Sequence, residues 1–208
     1  MDIFSTIKKI KIVPVVVFNN VEETVPTLAA MMEGGLPVAE ICYRTECAPE
    51  CLKLAVKEFK GKFLVGAGTV INAAQAKEAI SLGAQFIVSP GLSESVAKVC
   101  KESDVPYFPG IATPTELMQA LELGIKIVKF FPASVYGGIK AINAIGAAFP
   151  QVQFLPTGGV GPENLVEFLT NKKIFACGGS WMMKGTLDEI KNKCIEAMNI
   201  VKGVKANG

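Results

Sequence analysis

TPTELMQALELGIKIVKFFP, residues 113–132, reads as one complete unit of an alternating α/β chain. Thr113 with Glu116 three places later forms a capping box, and Pro114 takes the first helical position, where its missing N–H costs nothing. A helix-length segment follows over Glu116–Leu123, and Gly124 stands just past it, as helix C-terminal glycines do. The chain then turns apolar and β-branched over Ile125–Phe131, which reads as a buried strand.

The same alternation runs outward in both directions. Apolar runs at Ile12–Val17, Val38–Tyr43, Phe63–Gly66, Phe86–Val88, Pro106–Phe108, Ile125–Phe131, Val152–Leu155 and Ile174–Cys177 make eight candidate strands. Helix-length segments such as Glu22–Glu33 and Ala73–Leu82 lie between them, with Gly34 and Gly83 as further C-terminal glycines. Asn20 with Glu23, Asn72 with Gln75 and Thr186 with Glu189 repeat the capping pattern. Strands alternating with helices imply a parallel sheet and an α/β fold. Eight units of about 25 residues suit a small (β/α)₈ TIM barrel, expected as a single domain over residues 1–208 with a short N-terminal helix. A doubly wound open sheet is the alternative architecture.

Composition excludes several kinds of chemistry. The chain has no histidine, which removes Ser-His-Asp and Cys-His nucleophile systems and His-ligated zinc. No metal and no cofactor is expected. A net charge of +2 without a basic stretch gives no nucleic-acid surface. Met1–Lys11 lacks the apolar core of an export signal and no run reaches the length of a membrane span, so a cytoplasmic location with reduced cysteines is expected. Cys47 and Cys51 are spaced i, i+4, but two thiols without histidine read better as helix residues than as metal ligands. Of the 21 basic residues, 20 are lysine; the one arginine, Arg44, is expected where a planar two-pronged donor is needed rather than on a random surface.

In a barrel, chemistry belongs at the C-terminal ends of strands. On the sixth run Lys126 lies early and Lys129 late, on opposite faces. Lys129 is wedged among Val128, Phe130 and Phe131, an apolar setting that favours the neutral amine, and a neutral amine attacks carbonyls. A packing or ion-paired lysine is the competing reading. On the second run Glu40, Cys42 and Arg44 share one face by period two. A carboxylate in an apolar strand needs a partner or a task. Glu40 is placed to move protons for a lysine across a narrow barrel, and Arg44, nearer the mouth, to clamp a carboxylate; a structural ion pair is the alternative. The third run ends in Gly66-Ala67-Gly68-Thr69-Val70, a weak signal for backbone approach and a hydroxyl contact. The seventh and eighth end in Pro156-Thr157-Gly158-Gly159-Val160 and Cys177-Gly178-Gly179-Ser180. Paired Gly-rich loops after the last two barrel strands recur as phosphate sites, with Trp181-Met182-Met183 as the short helix behind them; two ordinary turns are the alternative.

Taken in order over nearly the whole chain, Glu40…Arg44-Thr45-Glu46-Cys47-Ala48, Gly66–Val70, Ser89-Pro90-Gly91, Pro109-Gly110, Thr113–Leu117, Lys129–Pro132, Pro156–Val160 and Gly178–Ser180 resemble the bacterial 2-keto-3-deoxy-6-phosphogluconate aldolases, which often also accept 4-hydroxy-2-oxoglutarate. The resemblance implies a metal-free class I aldolase, usually a homotrimer, that acts in the Entner–Doudoroff route on a keto acid and a phosphorylated aldehyde. It implies that Lys129 forms a Schiff base and that Glu40 moves protons. It further implies that Arg44 and Thr69 hold the pyruvate carboxylate and that Gly158, Gly159, Gly179 and Ser180 hold phosphate, with Phe131, Pro90 and Thr157 lining the pocket. Two departures bear on the preferred sugar acid. Val17-Phe18-Asn19-Asn20 stands where some relatives carry an Arg, and Cys42 where a Thr is frequent. A phosphate-barrel isomerase or epimerase would share the glycine loops without needing the lysine, and a silent sugar-phosphate binder would need neither reacting side chain.

Overall fold

In the computed structural model, which describes residues 2–206, every strand pairing is parallel and helices alternate with strands through the chain. The strands are β1 (Ile12–Val16), β2 (Val38–Cys42), β3 (Leu64–Gly68), β4 (Ile87–Val88), β5 (Tyr107–Phe108), β6 (Gly110–Ile111), β7 (Ile127–Phe130), β8 (Gln153–Pro156) and β9 (Cys177–Gly179). The helices are α1 (Ile3–Ile10), α2 (Thr24–Glu33), α3 (Ala48–Glu58), α4 (Ala73–Ser81), α5 (Glu94–Glu102), α6 (Pro114–Glu122), α7 (Gly138–Ala148), α8 (Leu165–Thr170) and α9 (Leu187–Ala206). Six strands form one curled sheet in the order β5-β4-β3-β2-β1-β9, and three form a second in the order β6-β7-β8. Isolated parallel bridges Phe154↔Ile174 and Thr157↔Gly178 tie β8 to the β9 segment, and only Pro109 separates β5 from β6.

The local signals explain the boundaries. Thr113 and Glu116 make the expected reciprocal capping box, and Thr186 and Glu189 exchange the same pair of bonds at 2.6 and 3.3 Å. Asn72 accepts from the Gln75 amide at 2.9 Å. Asn20 differs: it precedes a 3₁₀ turn (Val21–Glu23) without capping it, and its side chain instead donates to Glu23 Oε1, so the α-helix begins only at Thr24. Gly34 also differs. Its φ is −72°, and the left-handed position belongs to Gly35 at +80°. Gly34 is needed for a packing reason instead, because a Cβ there would collide with Cys194 of α9. The fifth run stands as β5, and a further short strand, β6, follows it beyond Pro109, which has no N–H to give to a ladder; the eighth run enters its sheet three residues late, where Cys177–Gly179 pairs with Ile12–Pro14.

The strands are buried on both faces, as parallel strands between helices must be. Buried Phe108 and Phe175 pack with Phe4 of α1 at ring-centroid distances of 5.9 and 6.4 Å, and Phe86 packs on Phe108 at 6.0 Å. This aromatic plug fills the N-terminal end of the strands and leaves the polar residues at the opposite end. Among the described residues no helix is long and apolar enough to cross a membrane.

Candidate active site

Lys129 of β7 and Glu40 of β2 come from different sheets and meet in the interior, Nζ to Oε1 at 3.4 Å. The lysine is 2 % exposed and the carboxylate fully buried, so each charge depends on the other for compensation. Lys129 also lies over the Phe131 ring, 5.2 Å from its centroid, the arrangement in which an aromatic face stabilises a cation. Backbone bonds fix it on either side: it pairs with Gly110 and Leu155, and its N–H reaches Pro109 O at 2.8 Å.

Glu40 sits in a cradle made by Gly68 of β3, where any Cβ would run into the carboxylate. Its Oε1 also faces Cys42 Sγ at 3.7 Å, and Oε2 has no hydrogen-bond partner. Burial, reinforced by the Glu40 charge, pushes the Cys42 thiol up to about 12, so Cys42 remains an S–H group against the carboxylate.

The period-two face of the second run ends at Cys42. The Arg44 N–H folds back onto Cys42 O at 2.8 Å, so Arg44 stands just beyond the strand. It still reaches the neighbouring strand end: Arg44 Nε donates to Thr69 Oγ1 at 2.9 Å. Thr69 follows β3 with a left-handed φ of 54°, a conformation unfavourable for a β-branched residue that aims its hydroxyl at Arg44. The two terminal nitrogens of Arg44 have no hydrogen-bond partner among the described residues.

Phe131, whose ring centroid lies 5.2 Å from Lys129 Nζ, also lines a cavity of about 260 Å³, which neither Lys129 nor Glu40 lines. Arg44 and Phe131 line one part; Thr157, Gly158 and Gly159 line another, and Gly179, Ser180 and Lys184 a third. Gly158 and Gly159 have φ of 93° and 75°, reachable at little cost only without a side chain. Asn164 braces this loop, accepting from Gly161 N at 3.0 Å and donating to Gly159 O at 2.8 Å. Ser180 precedes the 3₁₀ turn Trp181–Met183, the short helix expected behind the eighth run; its carbonyl accepts from Met183 N at 3.0 Å and its hydroxyl makes no capping bond.

The structure therefore brings together Lys129 with Glu40, Arg44 with Thr69, and Arg44, Phe131, Thr157, Gly158, Gly159, Gly179 and Ser180 around one cavity. Pro90 is apart from that group and lines a smaller neighbouring cavity with Val70 and Ser89. Asn164 and Lys184 were not singled out from the sequence. The Gly159-Val160-Gly161…Asn164 spacing is the signal for the first; a lysine after a short helix carries none.

The model of the aldolase family described as KDPG and KHG aldolase matches residues 3–199. The chain belongs to the KDPG and KHG aldolase family. It is 42% identical over 200 residues to the KHG/KDPG aldolase of Escherichia coli K12, covering 93% of this chain and 92% of that one. Among solved structures of the family it is similar to the KDPG aldolase of Legionella pneumophila, captured with pyruvate at low pH as a covalent carbinolamine intermediate (TM-score 0.89, 34% identity, 93% of this chain and 97% of that one). It is similar also to the 2-keto-3-deoxy-6-phosphogluconate aldolase of Zymomonas mobilis ZM4 with 3-phosphoglycerate (TM-score 0.89, 35% identity, 96% and 97%). The KDPG and KHG aldolases are carbon–carbon lyases, and the resemblance read from the sequence is borne out at the level of the family.

Proposed function

We propose that this aldolase cleaves 2-keto-3-deoxy-6-phosphogluconate reversibly to pyruvate and glyceraldehyde 3-phosphate through a Schiff base on Lys129. The observation that carries the reading is the buried Lys129–Glu40 pair, linked through the Phe131 ring to a cavity lined by Arg44 and the glycine loops. In this scheme the Lys129 amine adds to the C2 ketone, and loss of water gives an iminium. The C4 hydroxyl loses its proton, the C3–C4 bond breaks, and its electron pair passes into the iminium to leave an enamine. Protonation of the enamine carbon and hydrolysis release pyruvate. Glu40 carries the protons, because no histidine is available and Lys129 is itself the imine. Glyoxylate in place of the phosphorylated aldehyde gives the reaction on 4-hydroxy-2-oxoglutarate.

The reading extends to the frame. The two sheets act as one eight-stranded (β/α)₈ ring in a single domain, with β5 and β6 as one strand. The isolated β8–β9 bridges and the Glu40–Lys129 contact between sheets support that closure. A homotrimer follows from the family resemblance alone; a cytoplasmic location and chemistry without metal or cofactor are expectations carried by the sequence as well.

Arg44, with Thr69, holds the pyruvyl carboxylate. Arg44→Lys keeps the charge but loses the fork, so pyruvate binding should weaken by about 1–3 kcal/mol. Titration of pyruvate into parent and variant checks this, and unchanged affinity would remove Arg44 from the site. The Gly158, Gly159, Gly179 and Ser180 loops hold the phosphate. Ser180→Asp puts a negative charge there, which should penalise phosphorylated substrates on the order of a hundredfold more than unphosphorylated ones. Comparison of kcat/KM for both substrate types is the check; equal losses would mean that the loops serve another purpose.

A further inference from the structure

A phosphate monoester carries about −1.5 to −2 charges at pH 7. The glycine loops answer it with backbone N–H groups and the Ser180 hydroxyl, all neutral donors. Charge-assisted hydrogen bonds are roughly twice as strong as neutral ones, so a site that selects a dianion gains most from a cation. Among the described residues only two cations line the cavity, Arg44 and Lys184, and no carboxylate does. Arg44 is tied to Thr69 on the β2–β3 side. Lys184 directly follows the 3₁₀ turn that Ser180 precedes, and it lines the same cavity as Gly179 and Ser180.

The backbone at this position is anchored. Lys184 leaves the turn in an extended conformation (φ −108°, ψ 134°), and its carbonyl accepts from Lys193 Nζ of α9 at 2.5 Å. Thr186 and Glu189 cap the start of α9 immediately after it. The Lys184 side chain is exposed, and no carboxylate pairs with it among the described residues. An ammonium on a flexible stem, with no internal partner and a fixed root, suits capture of a phosphate as a point charge.

We infer that Lys184 is a specificity-determining residue of this site and supplies the positive charge that pairs with the substrate's phosphate. The inference rests on the phosphate reading of the glycine loops given above. Lys184 sets the preference for phosphorylated over unphosphorylated keto acids and takes no part in imine chemistry at Lys129.

The test uses the full chain and two probes. Inorganic phosphate, titrated calorimetrically at fixed ionic strength, should bind about tenfold more weakly to Lys184→Met than to the parent, with Lys184→Arg recovering most of the loss. In turnover, Lys184→Met should raise KM for 2-keto-3-deoxy-6-phosphogluconate by a similar factor with kcat nearly retained, and move kcat/KM for 4-hydroxy-2-oxoglutarate several-fold less. Unchanged phosphate affinity in Lys184→Met, or equal losses on both substrates, would overturn the role of Lys184 and leave the aldolase reading standing. Phosphate affinity that falls in Arg44→Lys but not in Lys184→Met would give the phosphate to Arg44. A parent protein that turns over 4-hydroxy-2-oxoglutarate but neither binds phosphate nor prefers the phosphorylated substrate would overturn the phosphate reading of the loops, and Lys184 with it.

Discussion

Lys129→Met is expected to abolish turnover, with a loss on the order of 10⁴-fold or more, because among the described residues no other lysine faces Glu40 to take over the covalent step. Borohydride added with pyruvate should inactivate the parent protein and attach one pyruvyl group, at Lys129. Labelling at a different lysine, or activity surviving in Lys129→Met, would end the Schiff-base assignment. The substitution has a structural cost as well. Glu40 is fully buried and faces Lys129 at 3.4 Å, so removing the cation leaves an uncompensated carboxylate, an arrangement that typically costs about 3–5 kcal/mol. Lys129→Arg separates the two effects: it keeps a cation near Glu40 but supplies no nucleophile. A folded, inactive Lys129→Arg shows that chemistry, not collapse, was lost.

Glu40→Gln is expected to lower turnover by about 10²–10⁴-fold, the usual contribution of general acid–base catalysis. The change preserves size and a hydrogen-bonding carbonyl but exchanges no proton. One Glu40 oxygen faces Lys129 and Cys42, while the other has no partner, as expected of an acceptor directed at a reacting group. The variant should fold and still be trapped slowly by borohydride with pyruvate. Solvent deuterium entering the pyruvate methyl reads the proton transfer directly. Exchange as fast as in the parent would show that another group carries the proton and that Glu40 is the structural half of an ion pair.

The sequence made the alternating fold legible wherever boundaries are set locally. Thr113, Pro114, Glu116 and Gly124 specify their helix by capping and backbone geometry within a dozen residues, and they stand where read. Gly34 ends its helix as read, but the need for glycine there comes from α9, some 160 positions away, which no local pattern reports. The eighth run shifted, and the short strand Gly110–Ile111 went unread, for a similar reason: ladder pairing is decided by the partner strand, not by apolarity alone. At the site, Lys129 and Glu40 could be found because charge in an apolar strand is costly and therefore informative. Their partnership could not, since period two says which face a residue takes but not what lies across the interior. Arg44 was legible by its uniqueness even though its strand stops two residues earlier. Lys184 is one lysine among twenty, and only its place on the cavity wall distinguishes it.

The pair proposed to carry the reaction also marks the progress of folding. Lys129 and Glu40 lie 89 positions apart and belong to separate sheets. Contacts of such separation require closure of a long loop and tend to consolidate after local helices and neighbouring strand pairs. A chain in which β1–β3 have assembled holds the acid but not the nucleophile, and one in which β6–β8 have assembled holds the nucleophile without its acid. Recovery of borohydride-trappable pyruvate after dilution from denaturant should therefore lag behind recovery of the helical signal. The competence to form an imine is then a reporter of the final docking of the two halves, readable on the refolding clock without any added label.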